Sequence, residues 1–149
     1  MGWYSERPMC GHLSIRLEFT SAFEVIDFVQ VVSDQVGKDA GLDDDAVHWM
    51  GVAIRESVIN AIRHGNQSDS SKRVFVDFDR DVAELRIRVR DQGEGFDPDT
   101  LADPLAPENL LKASGRGIFF MRSFMDDVRI ERAAGGGMEV RMLKRLNRT

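Results

Sequence analysis

Cysteine and histidine are scarce in this chain of 149 residues, which contains one cysteine, Cys10, and three histidines. A single cysteine excludes an intrachain disulfide bond and any metal cluster built on cysteine. His12, His48 and His64 are scattered along the sequence and lack the spacing of a zinc site. A metalloenzyme that depends on these residue types is therefore a poor interpretation.

Long apolar runs are also missing. No apolar stretch reaches the roughly 18 residues of a membrane-spanning helix, and residues 1–6 lack the apolar core of a signal peptide. The formal charge is −5, and lysine and arginine form no dense patch with interleaved aromatic residues. We expect a cytoplasmic protein that binds neither a membrane nor nucleic acid directly.

The composition is that of an ordinary globular protein, with 42% apolar and 30% charged residues. The length fits one domain with its own hydrophobic core. Residues 1–12, which include Pro8 and Gly11, are expected to be a flexible lead-in. Residues 13–149 are expected to form a single domain.

Alternation of apolar and polar residues predicts the strands. The predicted strands are Leu13–Phe19, Val74–Asp79, Leu85–Arg90, Val128–Ile130 and Met138–Met142. The second and third are expected to form a hairpin, and so are the last two, around Gly135–Gly137. Arg86, Arg88 and Arg90 alternate with apolar residues and are interpreted as the solvated face of the sheet.

Helical spacing and capping residues predict the helices. Ser21 and Glu24 have the spacing of a capping box for a helix that runs to Gly37. An aspartate of the run Asp43–Asp45 is expected to cap a second helix, from about Ala46 to His64, with Gly65 as its stop. Asp99–Ala113 is predicted to be a long loop, typical of a lid, before an apolar-rich helix around residues 118–125. Hairpins and two blocks of helices favour an α+β fold, with helices on one face of a mainly antiparallel sheet.

The second predicted helix carries a row of polar side chains. Glu56, Asn60 and His64 recur every fourth residue and are expected to share one helical face. A separate apolar stripe can pack into the core; it consists of Met50, Ile54, Val58, Ala61 and Ile62. The polar row has two interpretations, a ligand site and the ordinary wet side of a surface helix.

Two glycine motifs favour the ligand site. Asp91-x-Gly93-x-Gly95 follows a strand, and its carboxylate can accept a hydrogen bond from an exocyclic amine such as that of adenine, although an ordinary glycine turn is the alternative. Gly115-x-Gly117 opens a helix, where backbone N–H groups can hold phosphate. Neither motif is a dinucleotide fingerprint, and no P-loop sequence is present.

These elements together predict a nucleotide site for phosphoryl transfer. Asp91 would read adenine, and Asn60 could offer its amide oxygen to a magnesium ion that bridges the phosphates. Glu56 is one helical turn before Asn60 and is placed to take a proton from the group that attacks the γ-phosphoryl group.

The motifs resemble those of a known superfamily. Glu56-x-x-x-Asn60-Ala61-x-x-His64-Gly65 resembles the N box of the GHKL ATPase/kinase superfamily, Asp91-x-Gly93-x-Gly95-Phe96 its G1 box, and Gly115-Arg116-Gly117-Ile118 its G2 box. Within it, the chain is similar to bacterial anti-sigma factor serine kinases. This resemblance implies a Bergerat-type two-layer α/β sandwich with a mixed, mainly antiparallel sheet. It further implies an enzyme that uses Mg-ATP (cofactors ATP and Mg²⁺) to phosphorylate a serine of a STAS-domain antagonist, and that sequesters a sigma factor or an analogous regulatory target.

The resemblance also implies roles for individual residues. Glu56 would be the catalytic base, Asn60 the Mg²⁺ ligand, and Asp91 the adenine reader, with Arg63 and His64 near the phosphates. The remaining nucleotide-binding positions would be Gly93, Gly95, Phe96, Ser114, Gly115, Arg116, Gly117 and Ile118. The chain departs from the family pattern at Met138, where a hydroxyl residue is expected after the last glycine turn, and this departure puts efficient turnover in doubt.

Other functions remain open at this point. One is a non-catalytic module in which ATP orders the lid from Asp97 to Ala113 and tunes a protein interface. A detached histidine-kinase domain is weaker, because no separate helical hairpin carries a phosphoacceptor histidine. The resemblance also implies a homodimer, and the first strand and the tail before it are the expected interface because an edge strand invites pairing.

Overall fold

The structure is a computed structural model that describes residues 11–94 and 121–146. Five strands form one sheet, and their bounds are β1 (Leu13–Thr20), β2 (Arg73–Arg80), β3 (Glu84–Arg90), β4 (Asp127–Arg132) and β5 (Met138–Arg145). Their order is β1-β2-β3-β5-β4, and each pairing between neighbours is antiparallel. Both predicted hairpins are confirmed, and β1 lies at one edge of the sheet as expected.

Two helices cover one face of this sheet, α1 (Ile26–Asp39) and α2 (Asp44–Asn60). The core lies between the layers and unites buried residues of both helices with those of the strands, such as Ile54, Val76 and Ile87. The α+β architecture predicted from the sequence is confirmed. Within the described ranges, no helix is long and apolar enough to cross a membrane.

The opposite face of the sheet carries charged side chains. Strand register aligns Arg16 with Asp77, Asp77 with Arg88, and Arg88 with Arg141. Asp77 accepts hydrogen bonds from Arg16 at 2.7 Å and from Arg88 at 3.3 Å. The arginines of β3 therefore belong to a polar sheet face, as predicted, and are neutralised in part by a carboxylate of the neighbouring strand.

The start of α1 differs from the prediction. Phe23–Val25 form a short 3-10 helix whose N-cap, Ala22, makes no side-chain capping hydrogen bond, and α1 begins only at Ile26. The capping box of Ser21 and Glu24 is wrong, because the Ser21 hydroxyl instead donates to the carbonyl oxygen of Lys72 at 2.8 Å. Ser21 is buried, and its hydroxyl bonds to the residue directly before β2 rather than along the helix.

The end of α1 also differs, since Gly37 lies inside the helix. A Cβ built at Gly37 would lie 3.0 Å from Cε of Met50 and 3.1 Å from Cγ2 of Val47, so this glycine allows α1 and α2 to approach closely. The helix ends near Gly41, whose φ of +82° suits a residue without a side chain.

Candidate nucleotide-binding site

Helix α2 begins at an aspartate cap and is followed by a π-helical turn. The Asp43 carboxylate accepts a hydrogen bond from the N–H of Ala46 at 2.8 Å, which confirms an aspartate cap. Beyond Asn60 the backbone continues as a π-helical turn, Ala61–Gly65, and the N–H of Asn66 bonds to the carbonyl of Ala61 at 2.8 Å. Such π-turns are frequent at functional sites because they reorient side chains within a helix.

The two faces of this helix separate as predicted. The apolar stripe is buried in the core; it consists of Met50, Ile54, Val58, Ala61 and Ile62. Glu56 and Asn60, one turn apart, are half-buried, whereas Arg63 and His64 are exposed. A carboxylate and an amide are therefore accessible side by side at the end of a helix whose other side is fixed in the core.

The π-turn changes the continuation of the polar row. His64 follows Asn60 through wider π-helical turns, so the regular four-residue spacing of Glu56 and Asn60 does not continue to it. The guanidinium carbon of Arg63 lies 5.7 Å from the centroid of the Phe23 ring, a cation–π contact with the 3-10 helix. The predicted role of Arg63 and His64 near phosphates stays a prediction.

Asp91 follows β3 and is nearly buried, with 5% of its surface exposed. Its Oδ1 accepts hydrogen bonds from the N–H of Gly93 at 2.9 Å and from the N–H of Met138 at 3.1 Å. Its own N–H donates to the carbonyl oxygen of Met138 at 3.0 Å. Burial raises the pKa of this carboxyl above its ordinary value, while the Met138 and Gly93 N–H groups act in the opposite direction.

Glycines from separate segments close around this carboxylate. A Cβ built at Gly65 would lie 2.0 Å from Asp91 Oδ2, and one at Gly137 would lie 2.1 Å from the Asp91 carbonyl oxygen. A Cβ at Gly93 would lie 1.9 Å from the carbonyl oxygen of Gly65. These distances are too short for any side chain, so Asp91 and these glycines form an interlocked unit, which we call the Asp91 cradle.

The cradle includes residues that sequence reasoning missed. Gly65 was interpreted as a helix stop and as the last position of the N box, and Gly137 as part of a turn, but neither was assigned a contact with Asp91. The contribution of Met138 comes from its main chain, so the hydrogen bond from position 138 to Asp91 does not require a hydroxyl side chain. Asn66, which is fully buried beside the cradle, was also missed.

Several predicted site positions lie outside the described residues. They are Gly95, Phe96, Ser114, Gly115, Arg116, Gly117 and Ile118, together with the predicted lid from Asp97 to Ala113. The segment that follows them is tied to α2, because the Ser57 hydroxyl donates to Sδ of Met121 at 3.2 Å. Met121, which follows the second glycine motif in sequence, therefore contacts Ser57, the residue after Glu56 in α2.

The chemistry of the described part of this site fits a nucleotide. Because Oδ1 of Asp91 already receives two N–H groups, Oδ2 is the carboxylate oxygen left to accept an amine. Mg²⁺ usually takes one or two protein ligands and completes its shell with phosphate oxygens and waters. A single amide at Asn60 beside the Glu56 carboxylate fits that requirement.

Comparison with known proteins supports the resemblance. Residues 19–144 match the family model described as "Histidine kinase-like ATPase domain". The chain is 29% identical over 131 residues to Serine-protein kinase RsbW of Bacillus licheniformis, covering 84% of this chain and 81% of that protein. It is 26% identical over 139 residues to Serine-protein kinase RsbW of Bacillus subtilis, covering 89% of this chain and 86% of that protein.

A solved structure shares the fold. The crystal structure of the RsbU and RsbW domains of Rv1364c from Mycobacterium tuberculosis matches with a TM-score of 0.62 at 19% identity. The match covers 90% of this chain and 32% of that longer chain. The fold expected from the three motifs is therefore confirmed, and the chain belongs to the family of histidine kinase-like ATPase domains.

Proposed function

We propose that residues 13–149 form a single-domain, ATP-dependent protein serine kinase that acts as an anti-sigma, partner-switching regulator. The observation that carries the proposal is the contact between Gly65 and Asp91. It joins the helix of Glu56 and Asn60 to the carboxylate that would read the base. The candidate base-reading and phosphoryl-transfer residues thus belong to one rigid unit. The serine kinases among the similar proteins support the same assignment.

In this proposal each described residue has a separate role. Oδ2 of Asp91 accepts a hydrogen bond from the adenine amine, and Asn60 provides the protein ligand of Mg²⁺. Bound ATP would supply the phosphoryl group, and Mg²⁺ would neutralise part of the charge on the phosphates. The partner's serine oxygen forms the new bond to phosphorus with cleavage of the bond to ADP, while the Glu56 carboxylate accepts the serine proton.

The proposed partners follow from the same assignment. The phosphoacceptor is a serine of a STAS-domain antagonist, and the sequestered target is a sigma factor or an analogous regulator, which places the protein in the cytoplasm. We also propose a homodimer that pairs through β1, because β1 is an edge strand with one free hydrogen-bonding side in the described sheet. Sedimentation at working concentrations would contradict the dimer if it gave the monomer mass.

The proposal is tested with labelled ATP, Mg²⁺ and STAS-domain proteins encoded near the gene. We expect label on a serine of one of them, and none when Glu56 is replaced by alanine. Tight ATP binding by the wild-type protein, with no transfer to any of these proteins, would instead support the non-catalytic module. Absence of ATP binding would contradict both functions.

A further inference from the structure

Asn66 is a buried amide at the junction of three segments. It follows the π-helical turn directly, and none of its surface is exposed. Its backbone N–H bonds to the Ala61 carbonyl at 2.8 Å, which fixes the residue to the end of the helix. An amide with no exposed surface must have its polar atoms satisfied within the protein, because an unsatisfied group costs desolvation free energy.

Each polar atom of the Asn66 side chain has a partner. Nδ2 donates to the Ser21 hydroxyl at 2.7 Å and to the carbonyl oxygen of Arg73 at 3.0 Å. Oδ1 accepts from the backbone N–H of Gln92 at 2.8 Å. The amide therefore has two functional halves, with its nitrogen directed to β2 and the chain before α1, and its oxygen directed to the cradle.

The oxygen half acts on the residue between Asp91 and Gly93. Gln92 is held a second time, because its side-chain oxygen accepts from the N–H of Arg73 at 2.7 Å. Gly65 lies against Asp91, and the Asn66 hydrogen bond holds the next residue, Gln92. Asn66 therefore holds the backbone of the residue that follows Asp91, although it makes no hydrogen bond with Asp91 itself.

We propose that Asn66 is a positioning residue for base recognition: through the Gln92 N–H it sets the direction in which Asp91 presents Oδ2. This inference rests on the proposed function, in which Asp91 reads adenine. When Oδ2 of Asp91 points at the adenine amine, the site favours adenine over a base that has no amine at that position. A displaced carboxylate should therefore reduce this discrimination.

Ser21 provides the matched control. Its hydroxyl accepts from Asn66 Nδ2 and donates to the Lys72 carbonyl at 2.8 Å, so Ser21→Ala removes hydrogen bonds of the same buried network. It leaves the bond from Gln92 to Asn66 Oδ1 in place. Both Asn66→Ala and Ser21→Ala should therefore lose stability. Only Asn66→Ala, which removes the Asn66 oxygen, should also lose base discrimination.

The experiment measures displacement of a fluorescent ATP analogue by ATP and by GTP, with Mg²⁺, at a temperature where each variant is folded. For Asn66→Ala we expect the ratio of the GTP to the ATP dissociation constant to fall by about tenfold, the effect of one lost hydrogen bond. For Ser21→Ala the ratio should stay within about twofold of the wild-type ratio. Equal ratios in Asn66→Ala and Ser21→Ala would overturn the proposal.

Asn66→Asp separates the two halves of the side chain. It keeps an oxygen for the Gln92 N–H, but it loses the Nδ2 donors and brings a carboxyl oxygen against the Arg73 carbonyl in a buried site. The unfolding midpoint should therefore fall while the nucleotide ratio is retained. A ratio as low as that of Asn66→Ala would count against the proposal.

Amide hydrogen exchange at Gln92 tests the positioning without any nucleotide. Exchange should accelerate by about tenfold in Asn66→Ala, the effect of one lost hydrogen bond, and should not change in Ser21→Ala. Unchanged exchange in Asn66→Ala would overturn the inference. If exchange behaves as expected while the wild-type protein binds no ATP, the proposed function fails and the structural role of Asn66 stands.

Discussion

Gly65 lies so close to Asp91 that a Cβ built on the glycine would be 2.0 Å from the carboxylate oxygen Oδ2. One residue ends the π-helical turn after α2, and the other follows β3, so the contact joins the two layers of the fold. Any side chain at position 65 must displace the carboxylate or the end of the helix. The candidate site therefore depends on the absence of a Cβ at a position far from Asp91 in sequence.

Gly65→Ala is expected to weaken both the fold and nucleotide binding. The methyl group would force Asp91 aside, at a cost of about 1–3 kcal/mol in the free energy of unfolding. Gly51→Ala is the matched control on the same helix, since its Cβ would meet nothing closer than 3.5 Å. Unfolding in urea and titration with ATP measure both effects. Equal unfolding free energies and equal ATP affinities for Gly65→Ala and Gly51→Ala would contradict the contact.

Gly137→Ala tests the other wall of the cradle. Gly137 has a φ of +81°, and its Cβ would lie 2.1 Å from the Asp91 carbonyl oxygen. Gly135 has a φ of +87° with nothing within 4 Å, so Gly135→Ala carries only the backbone strain of a positive φ, about 1–2 kcal/mol. We expect Gly137→Ala to be less stable than Gly135→Ala by at least about 2 kcal/mol in urea unfolding and to lose ATP binding. Equal unfolding midpoints would show that position 137 has room for a side chain.

Asp91→Asn should lose ATP affinity without losing stability at neutral pH. Its Oδ1 can still accept from Gly93 and Met138, but an amide nitrogen in place of Oδ2 opposes the adenine amine. Burial raises the pKa of Asp91 in the folded state, so its contribution to stability is present below the unfolded pKa and is lost as pH rises through the folded pKa. The wild-type unfolding midpoint should therefore fall, relative to that of Asp91→Asn, as pH rises through that range.

Asp69→Asn provides a control for that pH series, because the pKa of Asp69 is shifted in the opposite direction to that of Asp91. Hydrogen bonds from Ser71 lower the pKa of Asp69, so its contribution is present above the unfolded pKa and is lost as pH falls through the folded pKa. The stability deficit of Asp69→Asn should therefore shrink as pH falls. If Asp91→Asn and Asp69→Asn showed the same trend with pH, the assignment of a raised pKa to Asp91 would be wrong.

Asp39→Ala tests the ionic contact between α1 and β2. Nε of Arg80 lies 2.8 Å from Oδ2 of Asp39, and the Arg80 side chain is 2% exposed. Removal of the carboxylate leaves a buried guanidinium without this counter-charge, so we expect a loss of about 2–3 kcal/mol in the free energy of unfolding. Glu18→Ala, which breaks the exposed pair with Arg73, should cost less than about 1 kcal/mol. Similar losses in both variants would contradict the importance of the buried pair.

The sequence predicted those features that depend on local patterns. Alternation located the strands because one sheet face packs on helices, and Asp43 was found because an N-cap is a local hydrogen bond. The identity of the site was predicted from the order of Glu56, Asn60, Asp91 and the glycine motifs. A single sequence is enough to recognise each of these motifs, because each motif spans only a few residues.

Long-range relationships could not be predicted in the same way. The hydroxyl of Ser21 could have capped a helix, and only the fold brings it to the Lys72 carbonyl. The place of β5 between β3 and β4, and the contact of Gly65 with Asp91, depend on how the layers assemble. The π-turn before Asn66 likewise has no local sequence signature, although it alters the position of His64 relative to Asn60.

The most direct test of the kinase assignment is the rate of phosphoryl transfer at saturating Mg-ATP for Glu56→Gln and the wild-type protein. Glutamine keeps the size and polarity of the side chain and removes the base, so ATP affinity should be unchanged. Transfer to a serine of the STAS-domain partner should fall by about 10²–10⁴-fold. Equal transfer rates in the two proteins, with equal ATP occupancy, would contradict the role of Glu56 as the catalytic base.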